Sequence, residues 1–255
     1  MKLYRVLLSS ISASFRYPNI MSNEQPSLKC MPYSAIQGLI GASCGSYDFG
    51  DLSFSYIFRY ESIFKDVETI YKIKSNKGSI KPNEPTNTAG NKRFYYQGDI
   101  YPSSDAFKRE QLFGCYLTLY LDNESVAKSF LSPTFELLFG RSSDLASVLS
   151  VDEVEVLPTD EMNYCGTVIP LNFNVSGELY SMAASYDYLS LPRREKDVKI
   201  FSILDGKGKF INKPLSLIDR FKLNNWEFKK PNTVIKQPAF LDEELQTKIL
   251  MRKFC

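Results

Sequence analysis

The chain has 255 residues, 44% hydrophobic and 24% charged, with a formal net charge of +2. That length holds one large domain or two small ones with a real core, and the composition excludes wholesale disorder. There is no histidine. Its absence removes Ser/His and Cys/His nucleophile pairs, histidine-assisted RNA cleavage and histidine metal sites, leaving Lys, Tyr, Asp and Glu as the available acids and bases.

Aromatic residues make up 14% of the chain, mostly Tyr and Phe, which favours strands and also supplies faces on which bases stack. Cys30, Cys44, Cys115, Cys165 and Cys255 are scattered without a CxxC pair. This pattern points to reduced thiols in the cytoplasm and against a zinc knuckle or a disulfide framework. The opening MKLYRVLLSSISASFR is short and diluted by serines, so it reads as a first strand rather than a signal peptide. No segment reaches the roughly 20 apolar residues of a membrane span.

In chain order, KLYRVLL (2–8) suits a buried strand, and a polar loop with two prolines follows it. PYSAIQGLIGASCG then places Ala35, Ile36, Leu39 and Ile40 at helical spacing, with Gly45 as the stop. Gly38 and Gly41 are expected to let this helix pack closely on a sheet. FSYIFRYE (54–61), VETIYKIK (67–74) and KREQLFGCYLTLYLD (108–122) read as strands. The last two flank an insert rich in Gly, Pro, Asn and Ser, which they raise as a protruding hairpin. ESVAKSFLS (124–132) predicts a short helix and Val148 to Leu157 a further strand.

The resulting order β, α, β, β, α, β predicts an α+β fold with an RRM-like or ferredoxin-like domain over 1–157. A long β-hairpin thumb is inserted at about 75–107. The remainder, 158–255, is expected to be β-rich, with FSILDGKGKFI as a hairpin turning at Asp205-Gly206 and LDEELQTKILMRKF as a terminal helix.

Charge is segregated. Between Lys72 and Arg109 the chain carries a net +5, and between Arg193 and Lys230 a net +6. From Ser142 to Pro192 there is no Lys or Arg, against eight acids. Such blocks fit one face for a polyanion and another for a different partner, or a solvated surface merely clustered in sequence. GLIGASCG lacks the spacing of a nucleotide loop, KGKFIN (207–212) misses most of the RRM stacking motif and reads as a hairpin edge, and VDEVEVLPTDE fits an edge strand with a wet acidic face. No cofactor or metal is called for. In the insert, Tyr95, Tyr96 and Tyr101 sit beside Lys92 and Arg93. That mixture suits single-stranded RNA, and equally a small hydrophobic cluster that pins the insert down. In FGRSSDL (139–145) a turn glycine precedes Arg141 and Ser142. The loop either caps the element after it or presents a cationic corner to a polyanion.

A strand ending in SASFR followed by PYSAIQGLIGASCG, then KREQLFGCYLTLYL, then SPTFELLFGRSSDLASV, resembles three signatures of the CRISPR-associated Cas-five family, in order, over residues 1 to about 156. The flavour is type I-B-like. The resemblance implies a repeat-associated (RAMP) subunit of the type I Cascade surveillance complex, with an RRM-like domain and a thumb. Such a subunit caps the 5′ handle of the crRNA and seats the backbone and large subunits, serving target DNA recognition indirectly. It implies Arg16, Lys108, Arg109, Gly140, Arg141 and Ser142 as RNA contacts, with Lys92, Arg93, Tyr95 and Tyr96 from the thumb. The type I-C branch cuts repeat RNA with a histidine, which this chain lacks. RNA binding without cleavage is therefore expected, with cutting left to a separate processing endonuclease and no membrane partner. The competing expectation is a metal-independent endoribonuclease using Tyr and Lys. The acidic 142–192 segment is expected to lie away from the RNA or to face a basic partner.

Overall fold

The computed structural model describes residues 1–17, 20, 23–75, 100–173, 175, 177–187, 194–211, 213–228 and 233–254. Its first half runs β1 (Lys2–Ala13), β2 (Glu24–Gln25), α1 (Tyr33–Cys44), β3 (Ser53–Ser75), β4 (Ile100–Leu121), α2 (Glu124–Ser129) and β5 (Ala146–Glu155). Its second half adds β6 (Leu157–Tyr164), β7 (Val168–Pro170), β8 (Glu178–Asp187), β9 (Arg194–Ile203), β10 (Gly208–Phe210) and β11 (Trp226–Phe228). β12 (Thr233–Asp242), β13 (Thr247–Ile249) and β14 (Arg252–Lys253) complete it.

The main sheet has the order β14-β3-β4-β1-β5, antiparallel at every step. β3 and β4 stay paired from Phe54↔Leu121 out to Ser75↔Ile100, so the two strands read at 54–61 and 67–74 are one. Where β1 ends, short β2 takes its place beside β4, pairing Glu24 with Lys108 and Gln25 with Arg109.

Both faces of this sheet are covered, which is why KLYRVLL is almost continuously apolar rather than alternating. On one face Tyr4, Val6 and Leu8 join Ile36, Leu39 and Ile40 of α1. Tyr33 of α1 in turn meets Phe201 of β9, ring centroids 5.1 Å apart. α1 stops at Gly45, left-handed at φ 71, whose N–H bonds Gly41 O. α2 starts at Asn123, whose side chain accepts from Val126 N at 3.2 Å. On the other face Leu3, Leu7, Ile57, Tyr116 and Tyr120 lie under Phe221, Leu223, Trp226, Leu245 and Ile249.

Two buried arginines join that second layer to the sheet. Arg5 Nη1 donates to Asp242 Oδ2 (2.9 Å) and Nη2 to Glu244 Oε2 (2.7 Å), while Tyr120 OH also reaches Asp242 (2.8 Å). Arg59 donates instead to Phe221 O (2.7 Å) and Thr118 Oγ1 (3.1 Å) and lies over the Trp226 ring. Burial lowers its guanidinium to about 10.

The C-terminal half is strand-rich, with two corrections to the sequence reading there and a third in α1. LDEELQTKIL is not a helix. Asp242 Oδ1 accepts from Glu244 N and Leu245 N and turns the chain, so β13 folds back on β12 with Phe240 opposite Ile249. Asp205-Gly206 does not close a hairpin, because β10 pairs with β11. Asp205 instead accepts from Tyr60 OH (2.7 Å), and Gly206 lies against the Phe58 carbonyl where no Cβ fits. In α1, a Cβ added at Gly38 would meet nothing within 4 Å and one at Gly41 would meet the Tyr47 ring, so neither glycine is needed for close packing on a sheet.

Candidate nucleic-acid interface

The end of β1, the start of α1, β2, β4 and the loop after α2 meet around one open cleft of about 440 Å3. Arg16, Arg109, Gly140 and Arg141 all line it, together with Ser14, Phe15, Gln25, Pro26, Pro32, Ser34 and Ala35.

The FGRSSD loop is pinned to the end of β1. Gly140 takes φ 115, and a Cβ there would collide with the Ser14 carbonyl oxygen. The close approach is fixed by Ser14 N donating to Phe139 O at 3.1 Å. Arg141 is then held by Asp144: its Nε donates to Oδ2 (3.0 Å), its Nη2 to Oδ1 (2.9 Å), and its backbone N to Oδ2 (3.2 Å). Asp144 is buried and also accepts from Ser12 Oγ of β1 at 2.6 Å. These hydrogen bonds raise the Arg141 pKa against the opposing effect of burial. The loop is therefore both a self-capped turn and a cationic corner. The acidic segment does not keep away from this corner: it begins inside it, with Asp144.

Arg109 is set by the register of the β3–β4 pair. Its Nη2 bridges to Glu68 Oε2 at 2.8 Å, and its Nε is a buried donor without a partner among the described residues. Arg16 is exposed and has no ion-pair partner among the described residues. The fourth cationic feature is the start of α1. Pro32 gives no side-chain cap and the first turn holds no acid, so the positive end of the helix dipole meets the cleft at Pro32, Ser34 and Ala35. Three guanidiniums and no acid line the cleft itself, while Asp144, Glu68 and Asp66 stand behind them, so the cleft presents N–H donors arranged for phosphate or carboxylate oxygens.

The other expected contacts fall elsewhere. Lys108 alternates with Arg109 on β4, so it points away from the cleft into a neighbouring hollow with Glu24, Lys65 and Glu110. Its Nζ lies 3.6 Å from Glu24 Oε1. Ser142 is exposed and does not line the cleft. Lys92, Arg93, Tyr95 and Tyr96 lie outside the described residues. The sequence reading did not pick out Asp144, Glu68 or the helix start. Asp144 was within reach of it, three residues after Arg141 in one loop. Glu68 becomes visible only once β3 and β4 are in register.

The fold and site define a strand-rich, antiparallel protein with an arginine-lined cleft at a helix N-terminus. No family model matches the chain, and no curated protein does. Solved structures it resembles include a chain of a CRISPR RNA-guided surveillance complex, at 16% identity and TM-score 0.46, covering 79% of this chain and 90% of that one. A second is a chain of a type III-B Cmr-beta complex bound to cognate target RNA and AMPPnP, at 11% identity and TM-score 0.46, covering 79% and 84%. A third is a CRISPR protein from Archaeoglobus fulgidus, at 10% identity and TM-score 0.42, covering 99% of each chain. Among the described residues no helix is long and apolar enough to cross a membrane, and no three His, Cys, Asp or Glu side chains group as a metal site.

Proposed function

We propose that the chain is a Cas-five-type RAMP subunit of a type I CRISPR Cascade, binding the 5′ handle of the crRNA without cutting it and seating the backbone and large subunits. The observation that carries this reading is convergence. Arg16, Arg109 and Gly140-Arg141 come from three separate sequence signatures and line one cationic cleft. Polyanion contacts require such convergence, whereas a solvated surface does not.

The topology supports the same reading. The order β1-α1-β3-β4-α2-β5, with antiparallel neighbours β5-β1-β4-β3, is compatible with a ferredoxin-like split βαβ. In this reading the long β3–β4 pair serves as the base of the thumb. The missing histidine supports binding without cleavage, and the endonuclease that trims the repeat is a separate protein in this scheme.

The test is electrophoresis of the purified chain with labelled repeat RNA in EDTA, on native and denaturing gels side by side. The expected result is a native shift that weakens steeply with salt, with intact RNA on the denaturing gel. Cut RNA would replace binding with a metal-independent endoribonuclease. The absence of any shift, alone or with partner subunits, would overturn the RNA-binding assignment.

A further inference from the structure

The face of β4 that carries Arg109 continues through Gln111 to Phe113, because alternate residues of a strand share a face. At Gly114 the alternation breaks. Cys115 and Leu112 are both fully buried although they are three residues apart, and Gly114 between them is left-handed at φ 67. The break keeps Leu112 in the core and turns Phe113 to the opposite face.

On that face the second layer covers the sheet as far as Tyr116, whose ring meets Phe210, Phe221 and Trp226 at 5.9, 5.6 and 5.6 Å. Beyond it, Phe113 is 45% exposed, Phe64 40% and Ile11 77%. Phe64 and Phe113 meet edge to face with centroids 6.3 Å apart. Between this patch and the cleft lie Gln111, bonded to Asp66 Oδ2 at 3.3 Å, and Ser12, bonded to Asp144. Phe113 stands four residues from Arg109, ~14 Å along the strand.

We propose that Phe113 and Phe64, with exposed Ile11 on the neighbouring strand β1, form a base-stacking platform for one nucleotide of the single-stranded RNA whose phosphates lie in the arginine cleft. This rests on the RNA-binding reading of that cleft and adds a second contact to it. The occupant is nucleic acid rather than a protein because the rings continue the arginine face of the same strand. Phosphate contacts and stacked bases alternate along a single strand, and stacking on an aromatic ring tolerates any base.

The experiment uses the full chain with single-stranded repeat RNA carrying 5-iodouridine at successive positions, irradiated and mapped by peptide mass. Cross-linking to Phe113 or Phe64 at one or two positions is the expected result. Phe113→Ala with Phe64→Ala weakens binding about tenfold while the slope of affinity against salt stays constant, since no phosphate contact is lost. Phe113→Leu with Phe64→Leu keeps the apolar area without the rings; its affinity falls as in the double alanine variant if stacking operates, and holds at the parental value if the patch serves only as an apolar surface. Parental affinity in both variants, or cross-links only elsewhere, overturns the platform while leaving the cleft assignment standing. Absence of salt-dependent binding by the parental chain overturns both.

Discussion

Asp144→Asn tests how far the cleft depends on one buried carboxylate. Asp144 accepts four hydrogen bonds, two at each oxygen: Ser12 Oγ and Arg141 Nη2 at Oδ1, Arg141 N and Nε at Oδ2. Asparagine keeps one acceptor and turns the other into a donor that faces two donors. Breaking a fully buried ion pair costs about 3–5 kcal/mol. Arg141 retains 23% exposure, so its guanidinium recovers some hydration, and the expected loss is about 2–3 kcal/mol. For a chain of this size that lowers the melting temperature by about 5–10 °C. Calorimetry on four proteins (parent, Asp144→Asn, Arg141→Ala and the double variant) separates the pair from the rest. With Arg141 absent, the Asn substitution should cost about 1 kcal/mol, because only the Ser12 and backbone bonds remain at stake. An equal cost in both backgrounds, or a loss below about 0.5 kcal/mol, would show that the Arg141–Asp144 pair is not what holds the loop.

Gly140→Ala should destabilise by about 2–3 kcal/mol, because the left-handed backbone and the Ser14 carbonyl both exclude a side chain; a urea midpoint unchanged from the parent would refute this. Arg16→Glu should leave stability within about 0.5 kcal/mol, because the side chain is exposed, and should lower the salt slope of RNA binding by about 1; titrations across a range of salt read both the slope and the affinity. Stability should also fall at alkaline pH. Burial raises the thiols of Cys30, Cys115 and Cys165, the last to about 12, above their usual 9.0, and raises Tyr56, Tyr60 and Tyr120 above 10.0. An acid whose folded pKa is raised contributes stability fully below its unfolded pKa, and loses it as the unfolded chain ionises above that value. Urea midpoints under reducing conditions should therefore hold to about pH 8.5 and decline from about pH 9 through 11; a flat profile to pH 11 would contradict the burial of these groups.

Local chemistry made some elements readable. Gly45 ends α1 where the sequence puts its stop, and ESVAKSFLS opens as the short helix α2, because such signals act within one turn of the residues they govern. The errors came where distant groups overrode a local signal. Leu241, Leu245 and Ile249 follow helical spacing, but the Asp242 carboxylate caps a turn there while also holding Arg5 and Tyr120 from the main sheet. Asp205-Gly206 has the composition of a hairpin turn, but the Tyr60 hydroxyl and the Phe58 carbonyl claim those two residues. In the cleft, the cations were legible as types and their gathering was not. β4 presents Arg109 to one side and Lys108 to the other, a distinction that alternation alone leaves unassigned until the sheet's faces are known.

Segregation of charge along the chain is a poor guide to segregation in space. The stretch from Ser142 to Pro192 carries no cation, yet its first acid is the residue that fixes Arg141. The pairing answers a physical need. A free arginine loses about 2 kcal/mol of side-chain rotamer freedom when it is fixed against a ligand, and a guanidinium already held by a buried carboxylate has lost most of that freedom before the ligand arrives. Asp144 and Glu68 therefore cost the cleft some positive potential and return it as position. Arg16 is exposed and has no ion-pair partner among the described residues. On the proposed RNA-binding reading, Arg109 and Arg141 supply orientation and Arg16 long-range attraction, so charge reversal at Arg16 should act mainly on association rate, while Arg141→Ala should act mainly on dissociation. Stopped-flow binding at two salt concentrations separates these rates, and equal effects of the two substitutions on both rates would refute the division.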